Sequence, residues 1–251
     1  MKKLVVSLLF IVLFYSQSKS QSVRKVDVNG NNWIMLVGNM QINSKWSMLT
    51  EGQIRRSNLG MEDMQNFIRF GLNRNFNPNL SFTGLGYLYA MTFPYGDFPV
   101  TYVFPEHRIW QQLVIKTKIN STEFSNRIRL EQRFIGKPST TAGKEFDWVY
   151  KNRIRFQTKF NIPLTKSGIV NGKPYLAVSD ELFVSFGKNV KFNNFDQNRF
   201  YLAIGMPTEK LGRFEVGYLN QNLLHGNGVE LENNHTIQLG WYPNYSIKKK
   251  K

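Results

Sequence analysis

Arg127, Arg129, Glu131 and Arg133 stand at every second position of NRIRLEQRF (Asn126–Phe134), with Ile128, Leu130, Gln132 and Phe134 between them. A helix would spread these four charges around its axis, whereas a strand gathers them on one face. NRIRF (Asn152–Phe156) repeats the opening, setting Arg153 and Arg155 against Ile154 and Phe156. The same alternation runs through Glu106, Arg108, Trp110 and Gln112, through Lys151 to Lys159, and through Gln197, Arg199 and Tyr201. Thr236, Gln238 and Gly240 likewise alternate with Ile237, Leu239 and Trp241. A chain of such strands must hold one greasy face and one charged face apart, and few folds do so.

Strand-like stretches separated by turns fill the rest of the chain. They cover residues 32–42, 45–56, 64–76, 80–92, 104–119, 123–135, 148–162, 174–187, 196–206, 213–223 and 233–243. NGNN, NPN, GKPSTTAGK, KSGIVNGK and HGNG supply turn chemistry between or before them. No helix-length 3.6-residue pattern occurs, so the sequence reads as all-β. A soluble sandwich would bury the apolar face and wet the charged one. A membrane barrel turns the apolar face to lipid and encloses the polar one.

Three features favour the membrane barrel. The strands match or exceed the roughly 9–11 residues that cross a bilayer at a tilt, and they exceed the five or six usual in soluble sheets. Trp33, Trp46, Trp148, Tyr150, Trp241 and Tyr242 fall near strand ends, where interfacial aromatic girdles belong. Residues 1–20 read as a cleaved secretory signal: MKK, then the apolar LVVSLLFIVLFY, then small residues ahead of Gln21. That run is short for a membrane-spanning helix. The expectation is a closed antiparallel transmembrane-type β-barrel over residues 21–247, followed by a basic tail at 248–251. Single-chain bacterial barrels usually have even strand numbers. The eleven candidates therefore suggest 10–12 strands, with 12 preferred through an additional strand at 22–28 or 98–104. The expected location is the cell outer membrane, with the periplasm as the alternative.

The net charge of +16 raises nucleic acid as a partner. However, part of that charge belongs to Lys2, Lys3 and Lys19 and to the terminal KKKK, and much of the remainder is strand arginine interleaved with glutamate. Nucleic acid is therefore not an expected partner. Outer-membrane lipid is, with anionic solutes or lipopolysaccharide as further candidates. The aromatic content of 14%, including 20 Phe and 11 Tyr, demands a large apolar surface.

EHRIWQQ (Glu106–Gln112), NRIRLEQRF, NRIRF, Asp180-Glu181, FDQNRFYLAIG (Phe195–Gly205), RFEVGYLNQ (Arg213–Gln221) and HTIQLGW (His235–Trp241) form an ordered series. It resembles the family catalogued as domain of unknown function 2490, widespread in Bacteroidota, from about Trp33 to Trp241. The resemblance implies a secreted, outer-membrane β-barrel-like protein and implies no reaction.

Glu51, Arg55, Arg69, Glu106, Arg108, Arg127, Arg129, Glu131, Arg133, Arg153, Arg155, Glu181, Arg199 and Glu215 form the expected charge network inside such a barrel. Pairing across neighbouring strands would make it a structural ladder. Rings of Arg would instead favour anionic solutes. The expected function is a structural or pore-like barrel with an Arg/Glu-lined interior. The alternatives are an outer-membrane lipid-directed hydrolase and a soluble periplasmic protein binding an apolar ligand. For hydrolysis the chain offers His107, His225 and His235 but no serine in a recognisable nucleophile setting. Catalytic residues and cofactors are not expected. Three scattered His and no Cys provide no zinc-ligand spacing.

Overall fold

The computed structural model describes residues 24–246; the leader at 1–20 and the basic tail at 248–251 lie outside them. The strands are β1 (Lys25–Gln41), β2 (Trp46–Ser57), β3 (Glu62–Asn77), β4 (Leu80–Thr92), β5 (Phe104–Ile119), β6 (Thr122–Pro138), β7 (Phe146–Pro163), β8 (Tyr175–Phe186), β9 (Phe195–Thr208), β10 (Gly212–Leu224), β11 (Glu230–Tyr242) and the short β12 (Asn244–Ser246). One 3-10 turn, Asn58–Gly60, joins β2 to β3.

Each strand from β1 to β11 pairs antiparallel with the next, and β11 returns to β1, so the sheet closes. The closing seam is parallel, from Lys25 opposite Glu230 to Leu36 opposite Trp241. Eleven strands close the barrel, within the expected 10–12 and one fewer than the preferred twelve. With an odd number, an otherwise antiparallel circuit brings the first and last strands together pointing the same way. The described part of 22–28 is the start of β1, and 98–104 is loop until Phe104. The short β12 continues β11 along β1, with Asn39 opposite Asn244. Pro243 separates the two because it has no N–H to give the ladder, although its carbonyl still accepts from the Asn39 amide at 3.2 Å.

The barrel is inside-out relative to a soluble domain. Ile34, Ile68, Ile128, Phe156, Leu202, Ile204, Val216, Ile237 and Leu239 lie exposed on the outer wall. Arg55, Arg69, Arg108, Arg129, Arg153, Arg155, Glu106, Glu131, Glu181 and Glu215 are buried. A β-bulge between Thr83 and Gly86 resets the inward face of β4. It leaves Thr83 buried and Leu85 exposed.

The aromatic expectation is partly corrected. Trp148 and Tyr150 face outward near one end, with His107 4.9 Å from Trp148 and Phe134 5.2 Å from Tyr150. At the other end, Phe124 packs on Phe160 at 4.8 Å and Phe214 stacks on Trp241 at 5.9 Å. Trp46, there too, lies under the Arg74 guanidinium at 5.1 Å. Trp33 does not belong to a girdle. It sits mid-strand, 1% exposed, pointing inward. Tyr242 also turns inward, 5.3 Å from the Lys159 ammonium. In β1 the inward residues Trp33, Met35 and Val37 are apolar too, so alternation could not orient it.

The two ends differ. The first carries the loops 58–61, 93–103, 139–145, 187–194 and 225–229; the second carries 42–45, 78–79, 120–121, 164–174 and 209–211.

Candidate functional site: the interior cavity

Long inward side chains meet inside the barrel because its curvature aims them at a common axis. Glu106 accepts from Arg108 at 2.7 Å and from Arg133 at 2.5 Å. Glu131 takes Arg153 at 2.6 Å and Arg155 at 2.8 Å. Glu181 takes Arg155 at 2.8 Å and Arg127 at 2.6 Å. Glu51 accepts from Arg69 at 2.6 Å. Arg129 and Arg155 are direct cross-strand partners. The Glu131 carboxylate lies between them, 4.0 Å from Arg129.

Pairing is not confined to neighbouring strands. Arg127 on β6 reaches Glu181 on β8, and Arg133 on β6 reaches Asp196 on β9 at 3.3 Å. Lys159 on β7 reaches Glu215 on β10 at 2.8 Å. Asp196, Lys159 and Tyr175 enter the network beyond the fourteen residues read from sequence. Asp196 accepts from Arg133, Arg153 and Ser185, and the Tyr175 hydroxyl donates to Glu215 at 2.8 Å. Lys159 was legible from its strand face; Asp196 is the extra residue of a β-bulge at the start of β9, which breaks the alternation that would have aimed it outward.

Two of the fourteen have no carboxylate partner among the described residues. The Arg55 guanidinium donates to Gln53 at 2.8 Å and to Gln65 at 3.0 Å. It lies 3.9 Å from the centre of the Trp33 ring. Arg199 donates to Gln197 at 3.2 Å and sits 5.1 Å from the same ring. Arg129, 1% exposed, is held by the Gln112 side chain at 2.5 and 2.9 Å.

These groups surround a cavity of about 1010 Å³. Its lining runs from Leu49, Lys159 and Tyr242, toward the second end, past the mid-barrel arginines to the loops of the first end, including Phe98, Lys191, Phe192 and His225. None of its lining residues comes from the second-end turns. Large side chains fill the barrel beside the cavity. Trp110, fully buried at the middle of β5, lies flat on Gly71 and Gly86, where a Cβ would collide with its indole. Tyr175 covers Gly205 in the same way.

At the first end, the Tyr95 hydroxyl donates to Glu232 at 2.6 Å, and the His225 Nε2 meets the other oxygen of that carboxylate at 2.6 Å. The hydrogen bond to Glu232 holds the His225 pKa above its ordinary value. Burial, reinforced by Glu232, pushes the Tyr95 phenol well above its own. The Asp97 amide donates to Asp27 at 2.9 Å, so loop 93–103 is fastened at two points.

The other two histidines sit on the outer face. His107 pairs with the Tyr87 hydroxyl at 2.5 Å and His235 with the Tyr218 hydroxyl at 2.6 Å. Among the described residues, none of the three histidines bonds a serine, and no group of three acidic or His side chains is placed to hold a metal ion. No helix among them is long and apolar enough to cross a membrane.

The sequence profile of the family described as "Protein of unknown function (DUF2490)" matches residues 30–233. The chain belongs to this family. The matched segment begins within β1 and ends within β11, so nearly the whole wall of this DUF2490 barrel falls inside it. No curated protein and no solved structure matches the chain.

Proposed function

We propose that this DUF2490 protein is an outer-membrane β-barrel whose interior is a cationic cup, open at the first end and closed at the second. The observation that carries the reading is the reversed polarity of the closed wall. Isolated in water, so many exposed Ile, Leu, Val and Phe would form an apolar surface far beyond what soluble monomers present. In lipid the same surface needs no cover, and a closed sheet leaves no unpaired backbone edge. The outward aromatics near both ends suit the two interfaces. Strands β1 to β11, of 12 to 18 residues, are long enough to cross at a tilt.

A cup is favoured over a through-pore because Trp110 lies across the middle of the barrel on Gly71 and Gly86, Tyr175 covers Gly205 nearer the second end, and no second-end turn lines the cavity. A soluble carrier for an apolar ligand would need an apolar interior, whereas this one is dominated by Arg and Glu.

Fractionation of native cells tests the reading. The protein is expected in the outer-membrane fraction, resistant to carbonate and released by detergent. In planar bilayers the purified protein is expected to be electrically silent. Extraction by carbonate alone would overturn the membrane assignment. Steady single-channel conductance would overturn the closed end.

A further inference from the structure

The lining of the cup combines a surplus of positive charge with apolar side chains toward the first end. Over the lining as a whole, cations outnumber carboxylates by more than two to one. Glu131 and Glu215 sit behind that lining and pair with Arg153, Arg155 and Lys159, yet the surplus remains. Most interior arginines have their charge offset by a carboxylate. Arg55 and Arg199 do not: glutamine side chains hold both in place, and an amide fixes a guanidinium without cancelling its charge. Both flank Trp33, whose ring supports a cation on its face. Guanidinium groups with no carboxylate beside them in a low-dielectric interior attract a carboxylate or phosphate strongly, with a fork that fits either.

Nearer the first end the lining changes. Apolar side chains gather toward the mouth: Phe104, Ile135, Val149 and Leu223 on four strands, with Phe98 and Phe192 from the loops, beside the cationic Lys137 and Lys191. In a barrel mouth facing water these positions ordinarily carry polar groups. Phe192 is 76% exposed there. A ligand that satisfies both features is charged at its inner end and apolar at its outer end.

We propose that the cup binds a single-headed amphiphilic anion, its carboxylate or phosphate at Arg55 and Arg199 and its hydrocarbon chain against the apolar collar. This rests on the one-ended cup proposed above and names the class of molecule it takes. The head-group chemistry is shared by fatty acids and phosphorylated lipids, and the test separates them.

Titration calorimetry on the purified barrel in a neutral maltoside detergent, with octyl phosphate, octanoate, inorganic phosphate and 1-octanol as probes, is the experiment. At least one of the two octyl anions is expected to bind saturably, at least tenfold tighter than both inorganic phosphate and octanol. The tighter of the two identifies the head group. The double variant Arg55→Gln, Arg199→Gln is expected to weaken the octyl anion at least tenfold while keeping its folded migration on unboiled gels. Phe192→Ser is expected to weaken the octyl anions and leave inorganic phosphate unchanged. Should the double variant misfold, rising salt is expected to weaken the octyl anion on the unmodified protein and leave octanol unaffected. Octanol binding as well as the anions, no saturable binding, or a folded double variant that binds normally would overturn the proposal. Binding is measured in detergent solution, so a negative result leaves the fractionation result standing and the two failures remain separable.

Discussion

Glu131 is a fully buried node of the interior, because Arg153 and Arg155 both close on it and Arg129 lies just beyond. Removing one partner of a buried charge pair leaves the other uncompensated and costs about 3–5 kcal/mol. Glu131→Gln is therefore expected to lower stability by about that much in urea titrations of the barrel refolded into vesicles. Asp63→Asn, which breaks the half-exposed pair with Arg56, is expected to change it by about 0–1 kcal/mol. Equal effects would contradict this ranking. Gly86 acts by absence: a side chain there meets the Trp110 indole. Gly86→Val is expected to destabilise by about 1–3 kcal/mol through overpacking, and the same titration reads it. At the mouth, His225 has a folded pKa raised above the ordinary value near 6.5. Its ionised contact with Glu232, the carboxylate that also holds the Tyr95 hydroxyl of loop 93–103, is then complete below that value and lost as pH rises through the folded one. Protease cutting within the loop is expected to quicken across that rise, and His225→Gln is expected to cut at one rate throughout. An unmodified protein whose cutting rate ignores pH would contradict this role for the His225–Glu232 pair.

At the scale of elements, alternation made the strands and their faces legible. Each inward Arg or Glu of β5, β6, β7 and β9 could be assigned from parity because one face was consistently charged. Parity failed where both faces were alike, as around Trp33 in β1. It also could not reveal the parallel seam. Strand number was inferred from the usual evenness of membrane barrels, and the contact between β1 and β11 joins residues some two hundred positions apart. The Tyr95–Glu232–His225 cluster was equally hidden, since Tyr95 and Glu232 belong to loop and strand far apart in the chain. The seam has its own test. Cysteine pairs at Val28 with Asn233 and at Ile34 with Leu239 are partners in the same parallel register. Both double variants are expected to form disulfides on mild oxidation in vesicles. An antiparallel or slipped seam would allow at most one of them.

For the whole molecule, the odd strand number and the reversed polarity have joint consequences. Eleven strands place the first and last strands' starts at the same end, so the described chain enters at the first end and leaves at the second. The apolar wall and the Arg-rich interior are two outcomes of one alternating pattern: a step that aims an arginine inward aims an isoleucine, leucine or phenylalanine outward. Fold class was legible for that reason. The cup's contents were less so, because sequence shows which residues face inward but not that glutamines, instead of glutamates, hold Arg55 and Arg199. The central claim is that the outer wall faces lipid. The chain has no cysteine, so single cysteines report cleanly. Ile128→Cys, Phe156→Cys and Leu239→Cys on the wall, with Asn227→Cys in a loop, can be treated with a membrane-impermeant maleimide in isolated outer membranes whose two faces are both accessible. The wall positions are expected to stay unlabelled while Asn227→Cys labels readily. Wall cysteines that label as fast as the loop cysteine would contradict the account.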